Sequence, residues 1–159
     1  MAGSGPRSSK STRFRRILWP TDFSPTAKAA LPYALDLAAD HEAQLVLLHV
    51  NPVTSMYVPE VSGAVWMDIR RKARLAAAQD LRRLADMVKG RGIRRHTLVA
   101  EGVPFDQILR VAKKLKCDLI VLATHGRTGL KHVFLGSVAE NVVRRAPCPV
   151  LTVRPAKLR

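Results

Sequence analysis

The stretch LIVLA at residues 119–123 decides the fold of this chain, because five consecutive apolar residues leave no polar face. A strand of this kind is covered on both sides, as strands are in the middle of a parallel sheet. A glycine-containing loop at 124–137 follows it, and then a segment of helical periodicity at 138–145. This order of strand, loop and helix is typical of one unit of a parallel α/β protein.

The rest of the chain shows the same alternation on both sides of this strand. Short apolar runs predict four further strands, at 17–19, 45–50, 97–100 and 150–153. Segments of helical spacing predict helices between the strands, at 25–40, 65–89, 104–115 and 138–145. The fold class is therefore α/β: a three-layer, open parallel five-stranded sheet with helices on both faces. Right-handed crossovers favour the strand order 3-2-1-4-5.

Single residues mark where these elements begin and end. Pro20 is expected to end the first strand, and Ser24 to cap the helix that Pro25 opens. Gly90 is the predicted C′ residue of the long helix. Pro149 stands directly before the last strand, which suits the edge of a sheet, where a missing N–H costs little.

The chain has 159 residues and a formal net charge of +15, and part of that charge lies in its terminal segments. Residues 1–16 carry five basic side chains and no acidic one. We expect a disordered basic tail at 1–13 and a single domain at 14–155. A basic surface attracts polyanions, but without an aromatic platform or a recognition motif we do not expect specific readout of nucleic acid.

Cysteines and apolar runs bear on the compartment. Cys117 and Cys148 form no disulfide framework and are expected to be free, buried thiols in a reducing environment. No run approaches the about 18 apolar residues that a membrane span needs, and no apolar segment of a secretory signal follows the basic N-terminus. We therefore expect a cytoplasmic protein with no membrane partner.

Two segments are expected to meet where ligands bind in such folds. Open parallel sheets bind ligands beyond the carboxyl ends of their strands, at the point where the strand order reverses. In the order 3-2-1-4-5 this point lies between the first and the fourth strand. The sequence places PTD at 20–22 after the first strand and ATHG at 123–126 after the fourth, so these segments predict a ligand crevice.

The loop at 124–137 has the features of a phosphate-binding site. Gly126, Gly129 and Gly136 allow the backbone to approach a ligand closely. Ser137 begins a helix, whose first amides carry partial positive charge, and its hydroxyl can donate a further hydrogen bond. Neither a P-loop nor a dinucleotide fingerprint is present. The loop also carries two cations that can offset negative charge, Arg127 and Lys131.

Two of these residues have a structural interpretation as well. Ser137 through Glu140 match a capping box, which explains the serine without any ligand. Asp22 can accept hydrogen bonds from ribose hydroxyls or an adenine amine, or it can cap the next helix, for which Ser24 is better placed. Both alternatives stay open at the level of sequence.

Taken together, the motifs resemble those of the universal stress proteins of the UspA superfamily, over about residues 14–155. The matching stretches are ILWPTDFS at 17–24, LLHV at 47–50, HG at 125–126, GS at 136–137 and PCPVL at 147–151. Their order along the chain matches the family as well.

The resemblance implies an adenine-nucleotide site in the crevice. The ATP-binding branch of the family carries G-x2-G-x9-G-[ST] after the fourth strand; Gly126 and Gly136 match it, whereas Ala123 stands at the first glycine. In the family, the residue matching Asp22 holds the ribose or adenine side, and the one matching Val50 contacts adenine. The candidate site residues are Pro20, Thr21, Asp22, Val50, Leu122, Ala123, His125, Gly126, Arg127, Gly129, Gly136, Ser137 and Val138.

The resemblance further implies ATP, or ADP or AMP, as the ligand, and a homodimer formed through the last strand at 150–153. Any Mg2+ is expected on the nucleotide phosphates, because the five histidines show no metal-ligand spacing. No dedicated base stands beside the loop, so at most slow ATP hydrolysis is expected, in a protein that acts in stress response or signalling.

Two other functions stay open. The first is a protein-interaction module of the same fold that binds no nucleotide, which Ala123 in the first glycine position would explain. The second is weak nucleic-acid association through the basic tail and the arginine-rich long helix.

Overall fold

Five parallel strands form one sheet in the computed structural model, which describes residues 13–52, 63–124 and 136–154. The strands are β1 (Arg16–Thr21), β2 (Gln44–Asn51), β3 (Arg95–Glu101), β4 (Leu119–Ala123) and β5 (Val150–Val153). Their order across the sheet is β3-β2-β1-β4-β5, and every neighbouring pair is parallel. The predicted strand order is therefore confirmed, and all five strands begin at one edge of the sheet and end at the other.

Helices cover both faces of this sheet. They are α1 (Pro25–Lys28), α2 (Leu31–Asp40), α3 (Gly63–Met87), α4 (Pro104–Lys114) and α5 (Ser137–Arg145). Leu35 of α2 and Leu81 of α3 join the core cluster on one face, whereas Ile108 of α4 and Val142 of α5 join the cluster on the other. Three layers result, as the alternation of elements predicts.

The central strands are buried on both faces. β4 is buried at all five positions, as its uninterrupted apolar run predicts. In β1, Ile17 and Trp19 belong to the core beneath α2 and α3, whereas Leu18 belongs to the core beneath α4 and α5. Each such side chain contributes about 1.5–3 kcal/mol by burial, so the middle of the sheet is a rigid support for the loops at its edges.

The first strand continues through Pro20 to Thr21, so the prediction that Pro20 ends it is wrong. Arg16 O accepts a hydrogen bond from Asp118 N, which places the backbone polar groups of the even-numbered β1 residues on the β4 side. The pairing with β4 stops at Leu18, before Pro20 is reached. Pro20 therefore faces β4 just beyond the paired stretch, where it has no N–H to continue the ladder, while its pairing with Leu48 keeps it in the strand.

The single helix predicted at 25–40 is two helices, α1 and α2. Pro32, at the start of α2, has no N–H to donate to the carbonyl of Lys28. The hydrogen-bond ladder is therefore interrupted between the two helices, although the apolar spacing runs on without a break.

The end of the long helix also differs from the prediction. α3 ends at Met87 and a 3-10 turn at Lys89–Arg91 follows, so Gly90 is not its C′ residue. The left-handed conformation falls on Gly92, with φ of 67°. Because the 3-10 turn intervenes, the residue that adopts positive φ lies two positions after the predicted Gly90.

The N-terminal segment joins the described fold at Arg13, which donates to His41 O at 3.1 Å and pairs with Glu42. The expected disordered tail otherwise lies outside the described residues. Among the helices that the structure describes, none combines the length and apolarity needed to cross a membrane.

Candidate functional site

The predicted crevice lies at the carboxyl edge of the sheet, where β1 and β4 end side by side. The two strands are paired up to Leu18 and Ile120, although they run on to Thr21 and Ala123. Their last three residues are therefore unpaired with each other, and Pro20, which has no N–H to offer β4, lies within this unpaired stretch. This is the point where the strand order reverses, at which open α/β sheets bind ligands.

The turn after β1 is held by three hydrogen bonds. Thr21 Oγ1 accepts from Phe23 N at 3.0 Å, and Asp22 Oδ1 accepts from Ser24 N at 3.0 Å. Ser24 Oγ accepts from Ala27 N at 3.1 Å, so Ser24 is the N-cap of α1, as predicted. Asp22 does not cap the helix; it closes an Asx turn and is half-buried at the end of β1.

His49 in β2 connects this turn to the neighbouring strand. Its Nδ1 lies 2.8 Å from Thr21 O, and its Nε2 lies 3.0 Å from Asn51 Oδ1. The imidazole also stacks on the Phe23 ring, with centroids 4.4 Å apart and an interplanar angle of 27°. Phe23 has a positive φ of 65°, an uncommon conformation for a residue other than glycine, and the stacking and hydrogen bonds stabilise it.

Hydrogen-bonding capacity determines the tautomer of neutral His49. Thr21 O can only accept, so Nδ1 carries the proton. Nε2 then needs a donor, while Asn51 Nδ2 is buried with no partner. Both needs are met by the amide orientation in which Asn51 Nδ2 donates to His49 Nε2. Sequence reasoning considered this histidine only as a metal ligand, and the available signal was a polar ring near the end of an apolar strand.

The loop after β4 leaves and returns at one point of the sheet. Thr124 N donates to Val153 O at 2.9 Å, which extends the contact between β4 and β5. Gly136 N donates to Thr124 O at 2.6 Å. Thr124 and Gly136 therefore lie next to each other at the carboxyl end of β4, and α5 starts there.

The N-terminus of α5 lies at the same edge of the sheet. Gly136 is the N-cap, so the capping box that Ser137 would head is absent, and Glu140 pairs instead with Arg144 at 2.8 Å. Ser137 is the first helical residue and is exposed. Glu140 N is the first amide to donate to a carbonyl of the first helical turn, and its acceptor is Gly136 O at 2.9 Å. The preceding helical amides carry partial positive charge, a favourable environment for an anion.

The apolar candidate residues divide between the two cores. Val50 and Leu122 are buried in the core beneath α4 and α5, and Val138 packs against that core. Ala123 is buried in the core on the other face, together with Trp19. The methyl group at the first glycine position therefore belongs to the α2–α3 side of the sheet. Four further candidates lie outside the described residues: His125, Gly126, Arg127 and Gly129.

Metal and thiol chemistry find no support in the ranges that the structure describes. These ranges contain no cluster of three potential metal ligands. Cys117 and Cys148 are free, and burial is the main cause that raises the pKa of Cys117 to about 12. Cys148 is only partly buried, so the prediction of two buried thiols is wrong for this residue, although partial burial still raises its pKa. Both thiols are therefore protonated at neutral pH, and neither is an activated nucleophile.

A cavity of about 160 Å³ lies apart from this crevice, between α3 and the ends of β2 and β3. Asn51, Trp66 and Glu101 contribute to its lining, and Glu101 forms an ion pair with Arg70. The cavity lies on the α3 face of the sheet, whereas Val50 belongs to the opposite core.

Comparison with known proteins agrees with this architecture. The model of the universal stress protein family matches residues 13–154. The chain is 35% identical over 144 residues to universal stress protein MJ0531 of Methanocaldococcus jannaschii, covering 91% of this chain and 84% of that protein.

Solved structures share the fold at high similarity. The structure of MJ0577, from the same archaeon, has a TM-score of 0.81 at 28% identity and covers 91% of this chain and 98% of its own. UspA from Lactobacillus plantarum has a TM-score of 0.80 at 30% identity, covering 89% and 99%.

Two more distant structures carry ligands. A universal stress protein in complex with cAMP has a TM-score of 0.68 at 23% identity, covering 91% of this chain and 100% of its own. A family member from Arabidopsis thaliana with AMP bound has a TM-score of 0.64 at 20% identity, covering 90% and 93%. At these identities they show the fold, and together with the family match they lead to one conclusion: the chain belongs to the universal stress protein family.

Proposed function

We propose that this protein binds an adenine nucleotide, ATP above all, between β1 and β4, and acts as a stress-response or signalling protein with little or no turnover. The observation that carries the proposal is the hydrogen bond from Gly136 N to Thr124 O, which holds the start of α5 beside the end of β4. The cAMP and AMP bound by two relatives of the same fold support an adenine nucleotide as the ligand class. The two free cysteines support the expected cytoplasmic location.

In this proposal the base and ribose lie beside the ends of β1, β2 and β4. Val50 and Leu122 are apolar residues at the ends of their strands, which suits a purine ring. Asp22 offers a carboxylate whose position is set by the Asx turn, and hydroxyl or amine donors of the nucleoside are suitable partners for it. The contacts of His49 with Thr21 and Phe23 keep this turn in one conformation before ligand arrives.

The phosphates belong at the N-terminus of α5. Its first amides and the exposed hydroxyl of Ser137 supply directional donors. Gly126, Arg127 and Gly129 are predicted to complete this side of the site, and the phosphates would carry any Mg2+. His49, the histidine nearest to the turn, has Thr21 and Asn51 as partners of its two ring nitrogens and is not available as a general base, which supports slow or absent hydrolysis.

Ala123 does not argue against nucleotide binding. Its side chain is buried in the core with Trp19, so the added methyl group is accommodated by packing on the α2–α3 face. The alternative, an interaction module without nucleotide, therefore has less support than it has from sequence.

Equilibrium dialysis of the purified protein with ATP tests the proposal. We expect saturable binding of one nucleotide per chain, and mass spectrometry of protein prepared without added ligand should detect a copurified adenine nucleotide. Absence of binding at millimolar ATP would contradict the proposal. If Ala123→Gly bound ATP where the parent did not, the interaction module would be favoured instead.

We also propose a homodimer formed through β5, which is an edge strand of the described sheet. Ile120 N donates to Pro149 O and Thr124 N to Val153 O, so odd-numbered residues of β5 face β4. The N–H of Thr152 consequently points away from the sheet, toward a second strand.

Light scattering after size exclusion tests the dimer. Thr152→Pro removes an outward N–H and should give a monomer with an unchanged fold, because no bond to β4 is lost. Leu151→Pro is the matched control, since it removes an inward N–H and should lower the melting temperature. A dimeric, well-folded Thr152→Pro variant would exclude pairing through β5.

A further inference from the structure

The amino edge of the sheet, where the strands begin, is strongly basic. We define it by the segments that lead into the five strands: 13–16, 41–44, 91–95, 113–118 and 144–149. They contain eleven lysines and arginines and two acidic residues. Because the strands are parallel, these five segments, distant in sequence, lie along one side of the molecule.

Part of this charge has an ordinary structural role. Arg144 lies in the last turn of α5 and pairs with Glu140, and Lys113 and Lys114 lie in the last turn of α4. Cations at these positions interact favourably with the helix dipole. Arg15, Arg94 and Lys116, however, lie outside the helices, and all three are exposed. The helix dipole does not account for these residues.

Two of the arginines donate hydrogen bonds to neutral acceptors, so the positive charges of these arginines are not offset by an acidic partner. Arg16 donates to Gln44 Oε1 at 3.0 Å and to Leu115 O. Arg95 donates to Ala85 O, at 2.5 Å. The carboxylate of Asp118 accepts from backbone amides of the β1 segment rather than from a cationic side chain.

The arginine-rich helix α3 is different, because its cations are largely paired. Asp68 forms ion pairs with Arg71 at 2.9 Å and Lys72 at 2.8 Å, and these partners lower the pKa of Asp68. Arg83 pairs with Asp80, at 3.4 Å. The better candidate surface for a polyanion is therefore the amino edge, rather than α3, which the sequence suggested.

The spacing of the amino edge suits a double helix. Arg94, Arg15 and Lys116 lead into β3, β1 and β4, which span three interstrand distances or about 14 Å. The major groove of DNA is about 12 Å wide, so cations at this spacing can reach phosphates on both of its sides.

The surface chemistry favours a duplex over the other polyanions. None of the large hydrophobic residues found exposed in the described chain lies within the five segments. Single strands are bound by stacking on aromatic side chains, and membrane surfaces by inserting apolar ones. The phenylalanine of these segments, Phe14, is partly buried, because its ring packs against the core and against His41. We propose that the amino edge binds the phosphate backbone of double-stranded nucleic acid without sequence preference.

Fluorescence anisotropy with a labelled 20-base-pair DNA duplex, using the full chain over a series of salt concentrations, tests this proposal. The variant Arg15→Gln/Arg94→Gln/Lys116→Gln removes one exposed cation beside each of three strands. It should weaken binding roughly tenfold or more at low salt and reduce the slope of log K against log salt by about 3. Its melting temperature and ATP affinity should not change, because the substitutions lie on the surface and away from the crevice.

Two control variants locate the effect. Lys28→Gln/Arg74→Gln/Arg82→Gln removes the same charge from exposed sites on α1 and α3, and Arg7→Gln/Lys10→Gln neutralises the basic residues of 1–12. Both should keep most of the affinity and most of the slope. The proposal would be overturned if the control on α1 and α3 lost as much affinity for the duplex as the amino-edge variant does. It would also be overturned if only Arg7→Gln/Lys10→Gln lost affinity. Absence of duplex binding at low salt, or binding only to vesicles of anionic lipid, would overturn it too.

Discussion

The carboxyl and amino edges of the sheet offer two different ways to hold an anion. Where the strands end, segments 20–24, 50–52, 101–106, 123–124, 136–140 and residue 154 carry four acidic residues and one basic residue, Arg154. Where the strands begin, the amino edge carries eleven basic residues and two acidic ones. In the described residues, the first edge therefore relies on backbone amides and the second on side-chain charge.

This difference has a physical consequence. Hydrogen bonds from amides are directional and act at contact, so they select a ligand of defined shape. Side-chain cations in solvent act over about 8–10 Å, are weakened by salt and select charge rather than shape. The carboxyl edge is accordingly suited to one small nucleotide, and the amino edge to a long polyanion.

The largest expected effect is at Gly136. Gly136→Val places a branched side chain where the loop returns to the sheet and next to the amides proposed to hold phosphate. We expect ATP affinity to fall by at least about 100-fold, or about 2.7 kcal/mol, measured by calorimetry. Gly90→Val is the matched control, because no atom lies within 4 Å of a Cβ built there, and it should bind as the parent does. Unchanged affinity of Gly136→Val would remove α5 from the site.

A smaller effect is expected at Asp22. Asp22→Asn keeps an oxygen that can accept from Ser24 N, so the Asx turn survives, but it removes the negative charge. A hydrogen bond to a charged group contributes about 1.5–3 kcal/mol, so ATP affinity should fall roughly tenfold or more. Asp80→Asn on the surface of α3 should have no effect. If both variants bind ATP equally well, Asp22 has only its structural role in the turn.

His49 tests whether the turn must be held in place. His49→Phe keeps a ring to stack on Phe23 but leaves Thr21 O without its partner. We expect the free energy of unfolding in urea to fall by about 1–3 kcal/mol, and ATP affinity to fall several-fold. His96→Phe, at an exposed site in β3, serves as the control. A stable variant with full affinity would show that the turn holds itself.

The smallest effect concerns Cys117, a thiol buried at the amino edge. Its pKa rises from 9.0 to about 12 mainly because of burial, so the folded state binds the thiol proton more tightly than the unfolded state. The stabilisation is complete below pH 9 and is lost as pH rises from 9 toward 12, by at most about 1.4 kcal/mol per pH unit. Urea titrations at pH 8 to 10.5 should show a shallower decline for Cys117→Ala than for the parent. Parallel declines would indicate that the thiol is accessible in the folded state.

Local sequence signals predicted most of the fold. Both ends of the LIVLA strand are predicted correctly. The apolar runs and turn residues are sufficient to predict a parallel sheet and the order of its strands. The errors have a common cause, since each concerns a hydrogen bond whose partner lies elsewhere. Pro20 was expected to end β1, but its missing N–H faces a stretch where β4 no longer pairs. Pro32 divides the first predicted helix because it has no N–H to donate to the carbonyl four residues earlier. The continuous apolar spacing of this segment gives no sign of the break.

For the candidate site, the sequence predicted which strand ends are neighbours. β1 and β4 do lie side by side, as the predicted strand order requires. Two alternatives were decided by geometry: Gly136 rather than Ser137 is the N-cap, and Ser24 rather than Asp22 caps α1. His49 was missed because its role depends on Thr21, 28 residues earlier in the chain.

The sequence by itself determined the class of the fold, the order of its strands and the family. These properties follow from the spacing of apolar residues, from the glycines and prolines between the elements, and from the motifs, all of which are local along the chain. The tertiary structure alone decided that the pairing of β1 with β4 stops after Leu18, that Gly136 returns to Thr124, and that basic residues from five separate segments share one edge. The reason is that each of these depends on contacts between residues far apart in sequence, which only a folded sheet brings together.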